Sequence, residues 1–502
     1  MGKLTDKVAK GAFWVMLEKG GVQLVQFLVT LVLARLLTPS DYGAVALLTV
    51  FISLSDVLID SGLPKALVQK KKATQTDCNT VFFLSLTLAV GLYAVLYASA
   101  PAIASFYRMP ELVPMLRLLA VTLFFKSVNG VQDVELNRKM LFKLSFRISW
   151  VRAIVAAAVG IVLALKEFGA WALVWSSVAG GFAGMVARQL VIAWRPTLAF
   201  SWASARELWR FGWKMMVAKL VAEAYRNLSS LLIGRFYTRA ELAFTKKGSH
   251  VPRLLVNSLD MTLGRVAFPA LAKMQDDPER MRAAMRRMIR VSTFGVFPLM
   301  AACSICAEDL VCVLFGARWI PAAPYMALWC FAWALIPFNT INVQAMTARG
   351  RSDVFLVAVV VRRLIGLAVM ALTLRYGVLA FVSGAAFISA PLGVIVNAWP
   401  NRKFLGYTLG MQMKDVAPAF ALTLAAAAAM YGVCLLPANA IVRLVLSLSA
   451  GAVVYLSLAT MLRLSVCSEI ARSLLSVRKR LPSSMQRLLE RVALWDGKGG
   501  LK

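Results

Sequence analysis

The stretch LVLARLLTPSDYGAVALL (31–48) ends one apolar run and begins another after a short polar turn. Arg35, Pro39 and Asp41 lie in or beside that turn. Apolar runs of roughly 18–25 residues recur along the chain, and each is long enough to cross a bilayer about 30 Å thick as an α-helix. The stretch therefore predicts two membrane-spanning helices joined by a tight turn.

The composition indicates the same class of protein. Of the 502 residues, 60% are hydrophobic and 16% are charged, and the mean hydropathy is +0.71. A soluble domain is nearer about 45–50% apolar. Because the charged residues are too few to cover a soluble protein of this size, a large soluble domain is excluded.

Apolar segments bounded by turn signals and charge mark the expected spans. Fourteen such segments lie near residues 11–37, 42–60, 79–100, 112–130, 147–166, 170–194, 207–234, 241–268, 289–307, 321–346, 353–374, 378–397, 415–436 and 440–462. The links are short, and the longest is the basic insertion KMQDDPERMRAAMRRMIR (273–290). We expect an all-α membrane protein with about 14 transmembrane helices.

Links rich in lysine and arginine alternate along the chain with links that hold few of these residues. One set of links carries clusters, such as Lys70–Lys72 and Arg138 with Lys139, and the other set holds mostly one or two cations, such as Arg108. The positive-inside rule then places both termini in the cytoplasm. The net charge of +32 is explained by this topology and by contact with anionic membrane lipids, so nucleic acid is not expected as a partner.

An internal repeat relates residue n to residue n+200 without a gap. The matched pairs include Lys19 and Lys219, Arg35 and Arg235, Thr38 and Thr238, Asp41 and Glu241, and Asp60 and Asp260. Residues 1–200 and 201–400 are therefore expected to form two six-helix lobes related by a pseudo-twofold axis normal to the membrane. Residues 401–465 would add two helices. Residues 466–502 would form a basic amphipathic tail on the inner membrane surface, with a solvated basic tail as the alternative.

Polar residues at helical spacing mark one face of three spans. They are Lys19, Gln23 and Gln26 in span 1; Lys219, Glu223 and Arg226 in span 7; and Lys246, His250, Arg253, Asn257 and Asp260 in span 8. A charge at the bilayer centre costs about 2.5–3.5 kcal/mol on insertion scales, so such faces are expected to meet water or one another.

These faces predict a hydrated central cavity with excess positive charge. The cations Lys19, Lys219, Arg226, Lys246 and Arg253 would bind a multiply anionic group, and a diphosphate fits because Lys and Arg form charge-assisted bonds to its oxygens. Gln23, Gln26, Glu223, His250 and Asn257 would line the cavity. For Glu223, a local salt bridge with Lys219 or Arg226 is an equally compatible interpretation.

Acidic residues and further cations also lie within or near spans. Asp60 and Asp260 are candidates for a gate or for coupling-ion binding, with helix capping and local pairing as the alternative. Asp56, Lys126 and Arg152 are further charged residues within or near the predicted spans.

Catalytic and metal-binding patterns are missing from the sequence. The chain contains no G-x-x-x-x-G-K-[ST], G-x-S-x-G or H-E-x-x-H motif, and it has a single histidine. We expect no enzyme activity, no catalytic residue, no metal site and no cofactor.

Several motifs resemble a known family. ARLLTPSDYGAVALL (34–48), DSGLPKALVQ (60–69), ELNRKMLFK (135–143) and LFGARWIPAAP (314–324) resemble segments of the Wzx-type polysaccharide biosynthesis flippases. Those flippases belong to the multidrug/oligosaccharidyl-lipid/polysaccharide exporter superfamily. FPALAKMQDDPERMRAAMRR (268–287) and TARGRSD (347–353) extend the resemblance over nearly the whole chain.

The resemblance implies a fold, a substrate and a location. Two six-helix lobes would enclose a central cavity in the bacterial inner membrane. By alternating access, the chain would move undecaprenyl-diphosphate-linked oligosaccharide from the cytoplasmic to the periplasmic leaflet for exopolysaccharide or lipopolysaccharide biosynthesis. Glycosyltransferases and a polysaccharide polymerase would be its partners.

Other functions stay open at this stage. A peptidoglycan lipid-precursor flippase would have similar chemistry with a different sugar. A drug exporter of the same superfamily would favour an acidic cavity for organic cations, which the positive stripes argue against. A membrane polysaccharide polymerase or ligase would carry a long periplasmic loop, and none is evident.

Overall fold

The computed structural model describes residues 21–60, 62–70, 74–464 and 466–469. All regular structure in these ranges is helical, which confirms the predicted fold class. Eleven of the described helical segments are long and apolar enough to cross a membrane. Lys19 and most of the predicted tail, residues 470–502, lie outside the described residues.

The chain divides into two compact units, Met1–Ala243 and Phe244–Lys502. Helices of the first unit are α1 (Gly21–Leu36), α2 (Pro39–Asp60), α3 (Leu63–Gln69), α4 (Gln75–Tyr107), α5 (Leu112–Ala120), α6 (Thr122–Arg138), α7 (Phe142–Leu165), α8 (Ala170–Val191) and α9 (Trp202–Phe236). Helix α10 (Arg239–Ala272) begins in the first unit and continues in the second.

The second unit continues with shorter and longer helices. They are α11 (Pro278–Ile305), α12 (Ala307–Phe315), α13 (Ala323–Ala334), α14 (Ile336–Ala348), α15 (Ser352–Thr373), α16 (Val378–Gly384), α17 (Ala390–Leu405), α18 (Leu409–Cys434) and α19 (Ala440–Met461). Each predicted span from residue 42 onward coincides with one of these helices or with a pair of consecutive ones. The division into lobes near residue 200 stays a prediction.

The two matched turns of the repeat have the same hydrogen bonds. The Thr38 N–H donates to Asp41 Oδ2 over 2.9 Å, and the Asp41 N–H donates to Thr38 Oγ1 over 3.3 Å. At the second turn, the Thr238 N–H donates to Glu241 Oε2 over 3.0 Å, and the Glu241 N–H donates to Thr238 Oγ1 over 3.2 Å. Each is a capping box that begins a helix, so Asp41 and Glu241 fill one structural role.

Helix α9 is held against other helices of the first unit at both of its ends. A Cβ atom added to Gly212 would lie 2.8 Å from the Gly62 carbonyl carbon, so the two backbones meet only because residue 212 is glycine. Near the other end, Gly234 packs against the Leu47 side chain.

Lys70, at the end of α3, joins α3 to two further helices of the first unit. Its Nζ lies 2.8 Å from Glu207 Oε2 on α9 and 3.1 Å from Asp77 Oδ1 on α4. The hydrogen bond with Glu207, followed by the bond with Asp77, raises the pKa of Lys70. The lysine therefore stays charged and keeps both contacts at neutral pH.

The basic insertion at 273–290 is mostly helical, so its interpretation as a link was wrong from residue 278 onward. Helix α11 begins at Pro278, where the Asp277 side chain accepts a hydrogen bond from the Arg280 N–H over 3.0 Å. Met281, Met285 and Ile289 are each 0% exposed and lie four residues apart. This apolar stripe packs into the core of the second unit while the arginines between its members stay outside.

Candidate functional site

The predicted polar face of α9 contains a local ion pair. Arg226 pairs with Glu223, as the alternative interpretation predicted, and Asn227 Nδ2 donates to Glu223 Oε1 over 2.7 Å. Glu223 is 8% exposed, whereas 72% of the Arg226 side chain is exposed. Lys219, four residues before Glu223, is half-buried. The carboxylate is thus satisfied inside the unit while the guanidinium group faces outward.

In the predicted polar stripe of α10, the two cations are more exposed than the uncharged residues. Lys246 and Arg253 are exposed, and His250 and Asn257 are half-buried. Lys247 does not belong to this stripe and is buried, with 7% of its surface exposed. Its Nζ lies 5.2 Å from the ring centroid of Phe315 and 5.3 Å from that of Trp319, a cation–π arrangement within the second unit.

The two aspartates proposed as gates each have a partner in their own unit. Asp60 is mostly exposed, and its carboxylate lies 3.9 Å from Lys126 Nζ. Asp260 accepts a hydrogen bond from the Thr340 hydroxyl of α14. These contacts fit the local-pairing interpretation, and a gating role stays a prediction.

The predicted cavity residues fall into two groups by unit. Gln23 and Gln26 on α1, half-buried and exposed respectively, lie with Lys219, Glu223 and Arg226 in the first unit. Lys246, His250, Arg253, Asn257 and Asp260 lie in the second unit. A cavity common to both groups, and its binding of a diphosphate, stays a prediction.

The first unit contains a polar cavity that the sequence did not predict. It has a volume of about 370 Å³ and lies between α2, α5, α6, α7 and α8. Its charged lining residues are Asp56, Lys126, Asp133, Arg152 and Arg188. The sequence showed Asp56, Lys126 and Arg152 as separate charges inside apolar spans. Only the packing of four helices brings them together with Asp133 and Arg188.

A family model settles what kind of protein these helices form. Residues 32–324, more than half of the chain, match the model described as polysaccharide biosynthesis protein. The chain belongs to this family. The resemblance inferred from the sequence motifs is confirmed.

Two relatives with related functions in their names resemble the chain over most of its length. The teichuronic acid biosynthesis protein TuaB of Bacillus subtilis (strain 168) is 24% identical over 468 residues, covering 91% of this chain and 96% of TuaB. The lipopolysaccharide biosynthesis protein WzxC of Escherichia coli (strain K12) is 24% identical over 360 residues, covering 70% of this chain and 72% of WzxC.

Solved structures share the fold at low sequence identity. The lipid II flippase MurJ, in an inward closed conformation, matches with a TM-score of 0.73 at 11% identity, covering 92% of this chain and 100% of that chain. An inward-facing multidrug resistance transporter of the MATE family, in the MOP superfamily, matches with a TM-score of 0.58 at 17% identity, covering 77% and 94%. The polysaccharide biosynthesis chain therefore has the fold of these transporters.

Proposed function

We propose that this chain is a flippase that moves a lipid-linked oligosaccharide from the cytoplasmic to the periplasmic leaflet during polysaccharide biosynthesis. The observation that carries the proposal is the pair of long helices α9 and α10, which present exposed cations in a chain with a flippase fold. They contain 35 and 34 residues, enough to cross a bilayer, yet neither is among the eleven apolar segments.

The substrate's polar head explains why such cations would be needed. Moving a diphosphate and several sugars through hydrocarbon would strand polar groups without hydrogen bonds, at several kcal/mol each. Arg226, Lys246 and Arg253 would replace water around the diphosphate through charge-assisted hydrogen bonds. The isoprenoid tail would stay in the surrounding lipid.

The same proposal covers the identity of the substrate, the enzymes that supply and consume it, and the location of the protein. The substrate would be undecaprenyl-diphosphate-linked oligosaccharide, supplied by glycosyltransferases and consumed by a polymerase. The protein would lie in the bacterial inner membrane with both termini in the cytoplasm, as the distribution of lysine and arginine indicates. Translocation makes and breaks no covalent bond, so no catalytic residue would be required.

Deletion of the gene in the source bacterium tests the proposal. We expect loss of a surface polysaccharide, with lipid-linked repeat units accumulating in the inner leaflet, and rescue by the intact chain. The fold match to MurJ makes a peptidoglycan-precursor flippase the second candidate. Loss of viability with accumulated peptidoglycan precursor would favour that candidate. Normal polysaccharide together with sensitivity to drugs would instead indicate a small-molecule exporter.

A further inference from the structure

The polar cavity of the first unit has the size and the lining of a ligand site. Its volume of about 370 Å³ is within the range of about 300–1,000 Å³ that is typical for small-molecule sites. The Phe125 ring and the side chains of Ile52 and Leu119 form an apolar wall of the cavity.

The ion pairs of the lining leave one cation without a partner among the described residues. Lys126 Nζ lies 3.0 Å from Asp56 Oδ2, and Arg188 Nε donates to Asp133 Oδ1 over 2.8 Å. Arg152, on α7, has no ion-pair partner among the described residues. Asp60, outside the lining, also lies 3.9 Å from Lys126, so Arg152 stands out by its lack of an ion pair and not by a net charge of the cluster. Its guanidinium group can hold a carboxylate with two parallel hydrogen bonds.

The neutral lining groups offer acceptors rather than donors. The hydroxyl groups of Thr49, Thr122 and Ser177 donate to backbone carbonyls of their own helices over 2.8, 2.6 and 3.0 Å. Each hydroxyl oxygen keeps lone pairs for a donor from outside. These free acceptor positions favour a ligand with several donors.

We propose that this cavity binds an acidic sugar, with the sugar carboxylate on Arg152 and the sugar hydroxyls on the acceptors of Thr49, Thr122 and Ser177. A simple inorganic anion would satisfy Arg152 but would bring no donors for these oxygens. A neutral sugar would bring donors but leave Arg152 without an ion-pair partner. The apolar wall suits the C–H face of a pyranose ring.

This inference rests on the proposed function and narrows its substrate. One sugar of the translocated head group would carry a carboxylate, and the first unit would recognise it apart from the diphosphate. Recognition of a sugar at a site inside one unit would give the protein a means of selecting among glycolipids that share the same lipid and diphosphate.

Binding of soluble glycosides to the purified full-length protein in nanodiscs tests the site directly. Methyl glucuronide and methyl glucoside differ by a carboxylate, so their affinities are compared by titration calorimetry. We expect the glucuronide to bind at least tenfold more tightly, which corresponds to about 1.4 kcal/mol. Arg152→Gln should remove this preference and leave binding of the glucoside unchanged. Thr122→Val, which removes one of the acceptors, should weaken binding of both sugars.

A matched control lies on the same helix. Arg147 is an exposed cation of α7 outside the cavity lining, and Arg147→Gln should leave both affinities unchanged. Arg152→Lys keeps the charge and should keep much of the preference, which provides a second variant if Arg152→Gln does not fold.

Several results would overturn the assignment. They are equal affinity for both glycosides in the wild type, displacement of glucuronide by acetate at equal concentration, binding of neither sugar, or the same loss in Arg147→Gln. Because the assay does not involve transport, a deletion strain with normal polysaccharide would remove the flippase proposal alone. Normal export together with absent glycoside binding would remove only the sugar site.

Discussion

Lys246 and Lys247 are adjacent in the chain but have opposite surroundings. Lys246 is exposed on the polar stripe of α10, and Lys247 is packed beneath the rings of Phe315 and Trp319. Helical periodicity alone separates them, because consecutive residues of a helix point about 100° apart. The aromatic partners of Lys247 come from residues about 70 positions later, and no periodicity could predict that contact.

Arg226 is the residue at which the cationic-face hypothesis is easiest to test. Arg226→Glu would place a second carboxylate beside the buried Glu223 and reverse the charge offered to the diphosphate. We expect export of the lipid-linked oligosaccharide to fall by tenfold or more, measured as surface polysaccharide in the complemented deletion strain.

A second exposed cation of α9 serves as the control for that variant. Lys214 lies twelve residues earlier and is also exposed, and Lys214→Glu should leave export nearly unchanged. Export that survives Arg226→Glu at an equal protein level would remove Arg226 from the substrate-binding set.

Elements of the second unit are joined by buried polar networks. Asn342 Nδ2 on α14 donates to Gln412 Oε1 on α18 over 2.9 Å, and Asn401 Nδ2 on α17 donates to Asn342 Oδ1 over 2.7 Å. All three side chains are at most 1% exposed. Three helices thus meet through amides that satisfy one another, which fixes their packing where an apolar contact would be less specific.

The ion pair of Arg286 with Asp415 gives a prediction at the scale of elements. Arg286 Nε and Nη2 each donate to Asp415 over 2.8 Å, and the Tyr407 hydroxyl donates to Asp415 Oδ2 over 2.7 Å. Asp415→Ala should lower the free energy of unfolding by about 1–3 kcal/mol, because the buried tyrosine loses its acceptor and α11 loses its bond to α18. The measurement is the melting temperature of the purified protein in detergent.

An exposed pair nearby supplies the comparison. Arg351 and Asp353 form a similar two-bond pair at the start of α15, but both side chains are exposed. Asp353→Ala should change the melting temperature little, because a surface pair is screened by water. If the melting temperature falls equally in both variants, burial does not explain the contribution of the Asp415 network to stability.

At the scale of the whole molecule, the distribution of lysine and arginine between the links predicts an orientation. Ser40, in the first turn of α2, and Gln275, in the link between α10 and α11, are both exposed. In a chain whose native cysteines are replaced, a cysteine at position 40 should react with a membrane-impermeant maleimide added to intact spheroplasts. A cysteine at position 275 should react only after lysis. The reverse pattern would invert the proposed topology.

Sequence alone determined the class of the protein, the positions of its spans and the faces on which its charges lie. Hydropathy and helical spacing are local properties, and so is the capping box that Thr38 and Thr238 form with the acidic residues three positions later. The start of α11 was missed because its arginines hide the apolar stripe of Met281, Met285 and Ile289.

Only the tertiary structure decided which of these charges meet. Lys126 pairs with an aspartate from another helix about 70 residues away, and Arg188 with one about 55 residues away. Among the described residues, Arg152 is then the lining cation without an ion pair, in a cavity that could not be expected from the sequence. Such contacts depend on how helices pack across long separations in the chain, where residue spacing carries no information.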